Sequence, residues 1–272
     1  MDISSTRNQV IDYAPCRYSG SRLWFRGPRR SLRTSYVACL GGCGVYGRYV
    51  TRPWSQQLEM SIGRTVVNLG VENSGIDAFV NDPGALSTAA NARVTLIQLT
   101  GAHNTSNRFY ATHPRRNDRF LKASQSLASL YPEMDFTEVH FTRHLLTSLH
   151  DICPQRFGIV VEEVQNAWQA RMRSLIAQMN GDVFLLWFAA QALPDVVDGL
   201  TENELFLTRA TVGPLAMHVK KLIEVVPKTW RADDEFLDVP EIEMSRAAHL
   251  PGPKAHREVA EAVAQAIIPA LQ

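Results

Sequence analysis

The chain has 272 residues, a length that allows one or two domains, and 45% of its residues are hydrophobic. With 20% charged residues and a net charge of +1, it is neither a disordered chain nor one that holds nucleic acid by bulk charge. The start MDISSTRNQV lacks a secretory pattern, no apolar run reaches about 18 residues, and cysteines number four. We therefore expect a cytoplasmic protein without a membrane span or a disulfide scaffold.

The first predicted unit is an N-terminal basic arm over residues 1–35. It is polar and carries a turn signal, Gly27-Pro28. Four arginines surround that turn: Arg26, Arg29, Arg30 and Arg33. Trp24 and Phe25 predict that part of the arm packs on the rest of the protein. The arm could also serve a protein partner.

Five short apolar runs then predict the strands of one α/β domain over residues 36–272. They are Tyr36–Leu40, Thr65–Leu69, Val94–Leu99, Val183–Phe188 and Leu222–Val226. Runs that are apolar on both faces are typical of a parallel sheet covered by helices on both sides. The amphipathic segments Gln155–Met179 and Lys254–Ile268 predict two of those helices. We therefore predict a three-layer α/β/α, flavodoxin-like fold, with a basic lid insertion over residues 105–151 after the third strand.

Glycine and small polar residues follow three of the predicted strands. The segments are Gly41–Gly47, Asn68–Gly70 and Gly101–Asn104. Ligands of open α/β sheets bind at the carboxyl ends of the strands, where glycine permits close approach and an asparagine amide can donate a hydrogen bond. These are the components of an oxyanion hole, so the sequence predicts a catalytic pocket at this edge.

These segments resemble the blocks of the SGNH/GDSL hydrolase superfamily. Gly41–Gly47 matches the spacing of its G-D-S-x-x-x-G block, with Cys43 at the serine position, and Gly70 and Asn104 match its second and third blocks. The resemblance covers roughly residues 36–105 and 183–272 and points to a bacterial branch of SGNH-like proteins with a degenerate triad. It implies that Cys43 is the nucleophile and that Gly70 and Asn104 are oxyanion donors.

The chain departs from that superfamily at the expected general base. Its H-P-x-x-x-G-H pattern aligns with residues 250–256, which places Leu250 at the position of the histidine and Ala247 at that of the aspartate. The neighbouring His249 could replace the base through a shift of one residue, with Glu241 or Glu243 as the acid that orients it. The aspartate beside the nucleophile is Gly42, and Thr105 replaces the aspartate of the third block.

Cysteine at a glycine-rich strand-to-helix turn can act as a nucleophile because the helix N-terminus and a nearby imidazole favour the thiolate. His249 or His103 could carry the proton. The alternative is that Cys43 is a small residue that fills a tight turn. Cys39 and Cys43 lack further ligands at metal-binding spacing, so we predict no metal and no cofactor.

The insertion brings arginines and aromatic residues to the mouth of the predicted pocket. We predict that an anionic small molecule or saccharide contacts His103, Arg108, His113, Arg115, Arg116 and Arg119. The alternative is a solvated loop whose arginines pair with Asp118, Glu133 and Asp135. A mixture of aromatic and basic residues also occurs in single-strand nucleic-acid binding, which the near-neutral chain disfavours. His140 and His144 would share a face if this segment were helical, and we interpret them as structural or ligand-facing.

The leading functional hypothesis is an esterase or acyl-group transferase that acts on an anionic, carbohydrate-linked substrate. In it Cys43 attacks, Gly70 and Asn104 stabilise the oxyanion, and His249 is the general base. Two alternatives stay open. One is a non-catalytic binding or assembly module on a degenerate scaffold, and the other is a transferase that uses a sulfated or phosphorylated donor.

Overall fold

A computed structural model describes residues 11–197, 200, 206–231, 239 and 241–272. Its main sheet has five parallel strands in the order β2-β1-β3-β6-β7. The strands are β1 (Val37–Gly41), β2 (Val66–Gly70), β3 (Val94–Gln98), β6 (Asp182–Phe188) and β7 (Lys221–Val225). The predicted three-layer α/β/α fold is thereby confirmed, because this order is the flavodoxin-like one expected from the resemblance. Each predicted strand lies within one residue of an observed one at either end.

The strand register brings the ends of the central strands to one level. Val37 pairs with Val66 on one side and with Val94 on the other, and Gly41 pairs with Gly70. Since β1 lies between β2 and β3, the chain reverses its winding direction here, and a crevice forms at the carboxyl edge. The loops that follow these three strands therefore face one another.

Ten helices accompany the strands within the described ranges. They are α1 (Cys43–Tyr46), α2 (Trp54–Ile62), α3 (Asp77–Val80), α4 (Pro83–Ala90), α5 (Gln125–Leu130), α6 (Thr142–Ile152), α7 (Pro154–Ile176), α8 (Arg209–Val212), α9 (Met244–Ala247) and α10 (Pro253–Leu271). Both predicted helices are confirmed, as α7 and α10. None of the helices in the described ranges is long and apolar enough to cross a membrane.

The two faces of the sheet bury different layers. Val37 and Cys39 of β1 share an apolar cluster with Trp54 of α2 and Val259 of α10. The alternate residues of β1, Ala38 and Leu40, belong to the cluster that includes the apolar side of α7. Alternation along the strand thus assigns each face to its own helices, and both faces are covered as the apolar runs predict.

The N-terminal arm is integrated into the core in its described part. Tyr18, Leu23 and Phe25 are buried in the same cluster as α7, whereas Trp24 is 55% exposed. The guanidinium of Arg26 is buried and donates hydrogen bonds to the carbonyls of Tyr46, Gly47, Val50 and Thr51. Arg26 therefore binds the chain directly after α1.

The insertion is ordered by a two-stranded antiparallel hairpin. Its strands are β4 (Tyr110–Thr112) and β5 (Phe120–Ala123), followed by α5 and α6. Because α6 begins at Thr142, His140 lies outside the helix, so the condition under which His140 and His144 would share a helical face is not met. The His140 carbonyl instead accepts a hydrogen bond from the N–H of Phe120.

Candidate functional site

A cavity of about 380 Å³ lies at the carboxyl edge of the sheet, and we call it the thiol cavity. Its wall includes predicted site residues from three separate parts of the chain: Cys43, His103, Asn104 and His249. Residues that the sequence analysis did not single out also line it, namely Asn73, Thr142, Trp230 and Phe188. The fold thus brings together most of the residues predicted to be catalytic.

Cys43 is the first residue of α1 and is half-buried. Its Sγ lies 3.9 Å from Asn73 Oδ1, which can accept a hydrogen bond from the thiol. The backbone N–H groups of a first helical turn have no partner within the helix and carry partial positive charge, which favours a thiolate. The position of Cys43 therefore suits a nucleophile.

The glycine beside Cys43 is required by packing beneath α1. A Cβ at Gly44 would lie 2.5 Å from Nε2 of the buried Gln98, and the Gly44 carbonyl accepts a hydrogen bond from Trp54 Nε1. A larger residue would require the Gln98 amide to move from its place beneath α1. Glycine at this turn holds α1 close to the sheet and so fixes the position of the thiol.

Asn104 is held in one orientation by a neighbouring hydroxyl. Thr142 Oγ1 donates to Asn104 Oδ1 at 2.8 Å, and both residues are buried in the cavity wall. Since Oδ1 accepts this bond, Nδ2 is left as the donor of the amide. Asn104 therefore suits the predicted role of oxyanion donor, and Thr142 positions it.

The two histidines of the cavity differ sharply in environment. His103 is buried, and burial, together with the nearby charge of Arg143, lowers its pKa to about 3. His103 Nδ1 has no hydrogen-bond partner among the described residues. His249 instead is exposed in the turn after α9, where its carbonyl accepts a bond from Trp230 Nε1. Of the two, His249 is the better candidate to exchange a proton with a substrate.

The acids proposed to orient His249 are not shown in that role. Glu243 accepts hydrogen bonds from Arg48 and from the Tyr49 hydroxyl. The side chain of Glu241 lies outside the described part of the structure. The second histidine of the superfamily pattern, His256, is buried in α10 and accepts a bond from the Trp54 N–H, so it serves the core.

Gly70 is placed outside the thiol cavity. Its N–H donates to Asn68 Oδ1 at 2.8 Å, and a Cβ there would lie 2.3 Å from the backbone nitrogen of Tyr46. Gly70 thus lets α1 pack against β2, and its N–H is already used. Three residues later, Asn73 has a left-handed backbone (φ +54°) and contacts the thiol. An asparagine shortly after a strand is the signal that could have identified it.

Most of the predicted anion-binding residues line a second cavity, of about 650 Å³, which we call the arginine cavity. It is lined by His113, Arg115, Arg116 and Arg119 from the insertion. The arm contributes Arg22, Leu23 and Trp24, and the body contributes Tyr46, Val71 and Glu72. His103 belongs to the thiol cavity instead, and Arg108 pairs with Glu163 on α7.

The loop that carries these arginines is tied down by Asn117. Its buried amide accepts hydrogen bonds from the N–H groups of Gly75 and Ala78 and donates to the His113 carbonyl. His113 Nδ1 in turn accepts the N–H groups of Arg115 and Arg116. The backbone of this loop is therefore fixed against the loop after β2, while its guanidinium groups extend from it.

Two of the three acids expected to pair with the arginines of the loop are bonded elsewhere. Glu133 pairs with Arg156, and Asp135 accepts hydrogen bonds from Thr137. Within the described ranges, no carboxylate lies in ion-pair distance of the guanidinium groups of Arg22, Arg115, Arg116 or Arg119. Nor does any cluster of three or more potential metal ligands occur in the part of the chain that is described.

Residues 1–271 match the family described as "Domain of unknown function (DUF6473)", and the chain belongs to that family. A comparison with curated proteins gave no match.

Three solved structures show a similar arrangement over most of the chain. A protein of the G-D-S-L family from Desulfitobacterium hafniense is 13% identical, with a TM-score of 0.45 over 86% of this chain and 99% of its own. A carbohydrate esterase of family 2 from Corynascus thermopiles is 10% identical, with a TM-score of 0.46 over 90% and 69%. A family two carbohydrate esterase from Clostridium thermocellum, in complex with cellohexaose, is 10% identical, with a TM-score of 0.43 over 92% and 67%.

Proposed function

We propose that this member of the DUF6473 family transfers acyl groups through Cys43, as an esterase or an acyltransferase. The observation that carries the proposal is the convergence of a helix-terminal thiol, the oriented amide of Asn104 and the exposed His249 on one cavity at the carboxyl edge of the sheet. Each group has a chemical role in acyl transfer, and the fold gathers them from distant parts of the chain.

The reaction proceeds in two balanced steps. His249 accepts the proton of the Cys43 thiol, and the sulfur attacks the carbonyl carbon of the ester to form a C–S bond. The carbonyl oxygen becomes an oxyanion that accepts a hydrogen bond from Asn104 Nδ2. When the intermediate collapses, the C–O bond breaks and the leaving alcohol takes the proton from His249. Water or an acceptor hydroxyl then cleaves the thioester and returns a proton to the thiol.

Gly70 has no part in this scheme. Its N–H is bound to Asn68, whereas Asn73 Oδ1 lies against the sulfur and can accept a hydrogen bond from the thiol. The backbone N–H of Gly44, in the first turn of α1, supplies a donor in place of that of Gly70. The oxyanion site then consists of Asn104 and the start of α1.

The walls of the thiol cavity fit a sugar-linked substrate. The rings of Trp230 and Phe188 meet edge to face with centroids 5.1 Å apart, and both line the cavity. Aromatic faces pack against the apolar faces of sugar rings, so a carbohydrate moiety fits beside the thiol. An anionic group on that substrate would be held by the arginines of the insertion.

The deciding experiment labels the thiol with an activated ester. The purified chain is incubated with p-nitrophenyl acetate, and acetylated residues are located by mass spectrometry. We expect acetylation of Cys43 and at least a hundredfold loss of p-nitrophenol release in Cys43→Ala, roughly the size of a lost nucleophilic or acid–base group.

The matched control is Cys153→Ala. Hydrogen bonds from Arg156 lower the pKa of the Cys153 thiol, so this residue tests whether any activated thiol would react equally. Release in Cys153→Ala should equal that of the unaltered chain. Full release in Cys43→Ala would rule out the thiol mechanism.

A non-catalytic binding module is the second candidate. It is favoured by the contacts of Glu243, whose carboxylate is bonded to Arg48 and Tyr49. If neither an activated ester nor a thiol reagent labels Cys43 faster than Cys153, this second function replaces the first.

A further inference from the structure

The arginine cavity collects positive charge that the carboxylates of the described residues do not balance. Some other arginines of the chain are paired with carboxylates, as Arg108 is with Glu163 and Arg156 with Glu133. Around this one cavity four guanidinium groups have no such partner in the described ranges. Like charges held near one another destabilise the folded chain unless an anion joins them.

The one acid of the cavity wall offsets only part of this charge. Glu72 forms an ion pair with Arg48 at 2.6 Å, and Arg48 is shared with Glu243. A single carboxylate against four guanidinium groups still leaves the cavity wall with an excess of positive charge. The excess positive charge of Arg22, Arg115 and Arg116 faces a space large enough for a small ligand.

Three segments that are distant in the sequence build this cavity together. Arg22 and Trp24 come from the arm, and Arg115, Arg116 and Arg119 come from a loop whose backbone Asn117 fixes. Because His113 Nδ1 accepts two backbone N–H groups, its ring proton lies on Nε2, which adds a neutral donor. The site is therefore preorganised in its backbone and supplied with donors.

The arginine cavity lies beside the thiol cavity. Cys43 lines the thiol cavity and Tyr46 lines the arginine cavity, and residues three apart on a helix share a face with Cβ atoms about 5–6 Å apart. The adjacent residues Asn73 and Glu72 divide between the cavities in the same way. Arg119 connects them from the other side, since its guanidinium lies 4.3 Å over the ring of Phe141 in the thiol cavity.

We infer that the arginine cavity binds the phosphate group of a phosphate monoester. At neutral pH a phosphate monoester carries close to two negative charges and three acceptor oxygens, which match several guanidinium forks better than a singly charged sulfate ester or carboxylate does. Trp24 and Tyr46 provide apolar surface for the organic part of the ligand. On the proposed function, on which this link rests, that ligand is the acyl donor or acceptor that reaches Cys43.

Binding is tested with glucose 6-phosphate, glucose 6-sulfate and glucose at constant ionic strength. The full chain is titrated by calorimetry, and thermal unfolding is followed in parallel. We expect glucose 6-phosphate to bind and to raise the Tm, and glucose not to. Sulfate-ester binding as tight as that of the phosphate ester, or no binding of either, overturns the inference.

The variant that tests the site is Arg115→Ala/Arg116→Ala. Because the backbone N–H groups of these residues, and not their side chains, hold the loop, the variant keeps its fold, which circular dichroism confirms. We expect the Kd for glucose 6-phosphate to rise about tenfold or more. Arg64→Ala is the matched control, since Arg64 is exposed and precedes β2 at the opposite end of the sheet. Equal weakening in both variants overturns the site.

The outcome is separable from that for the thiol. Cys43→Ala should bind glucose 6-phosphate as the unaltered chain does, because it removes no guanidinium. Phosphate binding without ester turnover would reject the proposed function and keep this site. Ester turnover without phosphate binding would keep the proposed function and reject the phosphate site.

Discussion

The two cavities lie side by side but differ in which of their groups are left without a partner. In the thiol cavity several polar side chains bond within the protein, as when Thr142 binds Asn104 or the buried Ser74 hydroxyl donates to the Val71 carbonyl, although His103 Nδ1 has no hydrogen-bond partner among the described residues. In the arginine cavity the backbone of the loop is bonded, while its guanidinium groups have no carboxylate partner in the described ranges. The comparison shows that the unmatched groups are neutral in the first cavity and cationic in the second, so the two cavities call for different ligands in the tests below.

Replacement of Arg26 should damage both cavities, and it is the largest effect we expect. Its buried guanidinium donates to four carbonyls after α1, the helix that contributes to both sites. Arg26→Met leaves buried carbonyls without donors, and the free energy of unfolding should fall by about 4 kcal/mol. Urea denaturation measures this change, with the exposed Arg29→Met as the control. A loss below about 1 kcal/mol would show that water replaces the guanidinium.

Replacement of Asn117 should affect the arginine cavity and leave the thiol cavity almost unchanged. Asn117→Leu leaves the N–H of Gly75 without a partner and that of Ala78 with only its 3.4 Å bond to the Gly75 carbonyl, and it should lower the free energy of unfolding by about 3 kcal/mol. Asn117→Asp keeps the acceptor and should lose less. Glucose 6-phosphate affinity should fall in both variants, while alkylation of Cys43 changes by less than about threefold. An unchanged affinity would mean that the loop needs no anchor to bind anions.

Acid should weaken the wall of the thiol cavity. Burial lowers the pKa of His103 to about 3 in the folded chain, so between pH 7 and pH 5 only the unfolded chain takes up this proton. Stability falls as the pH decreases, and this residue should account for about 2 kcal/mol of the loss between those values. His103→Gln should remove that part of the pH dependence. Tyr110→Phe removes the hydroxyl that donates a hydrogen bond to the His103 carbonyl, and this variant should keep the pH dependence of stability unchanged.

Loss of the Thr142 hydroxyl should affect the thiol cavity alone and is the smallest effect. Thr142→Val frees the Asn104 amide to rotate, which should cost about 1 kcal/mol of stability and lower kcat roughly tenfold. Thr142→Ser should restore kcat. Steady-state kinetics with p-nitrophenyl acetate separates kcat from KM, and a change confined to KM would contradict the positioning role.

The sheet could be predicted because its strands carry their own signal. Val183–Phe188 is apolar at every position, as a strand buried on both faces must be, and the structure extends it by only one residue to Asp182. The hairpin of β4 and β5 could not be predicted, because its strands are only three and four residues long and carry no continuous apolar run.

The site residues that directly follow a strand could be predicted from the sequence, whereas those whose position depends on a loop could not. Cys43 and Asn104 directly follow β1 and β3, so the topology brings them together. Glycine spacing pointed to Gly70, but the contact with the thiol is made by Asn73, whose position depends on a left-handed residue in the loop. The place of Arg22 in the arginine cavity could not be predicted, because its approach to Arg115 and Arg116 depends on how the arm folds back onto the insertion.

The burial of Arg26 bears on where a translation start can lie. A product translated from a start codon downstream of this residue would still contain every strand of the main sheet and Cys43. Its sequence would therefore still show all the strand-end motifs. It would nonetheless lack the cation that secures the carbonyls of Gly47 and Val50. We therefore expect a relative with a shortened N-terminus to supply another donor at that place, which would hold the chain that follows α1.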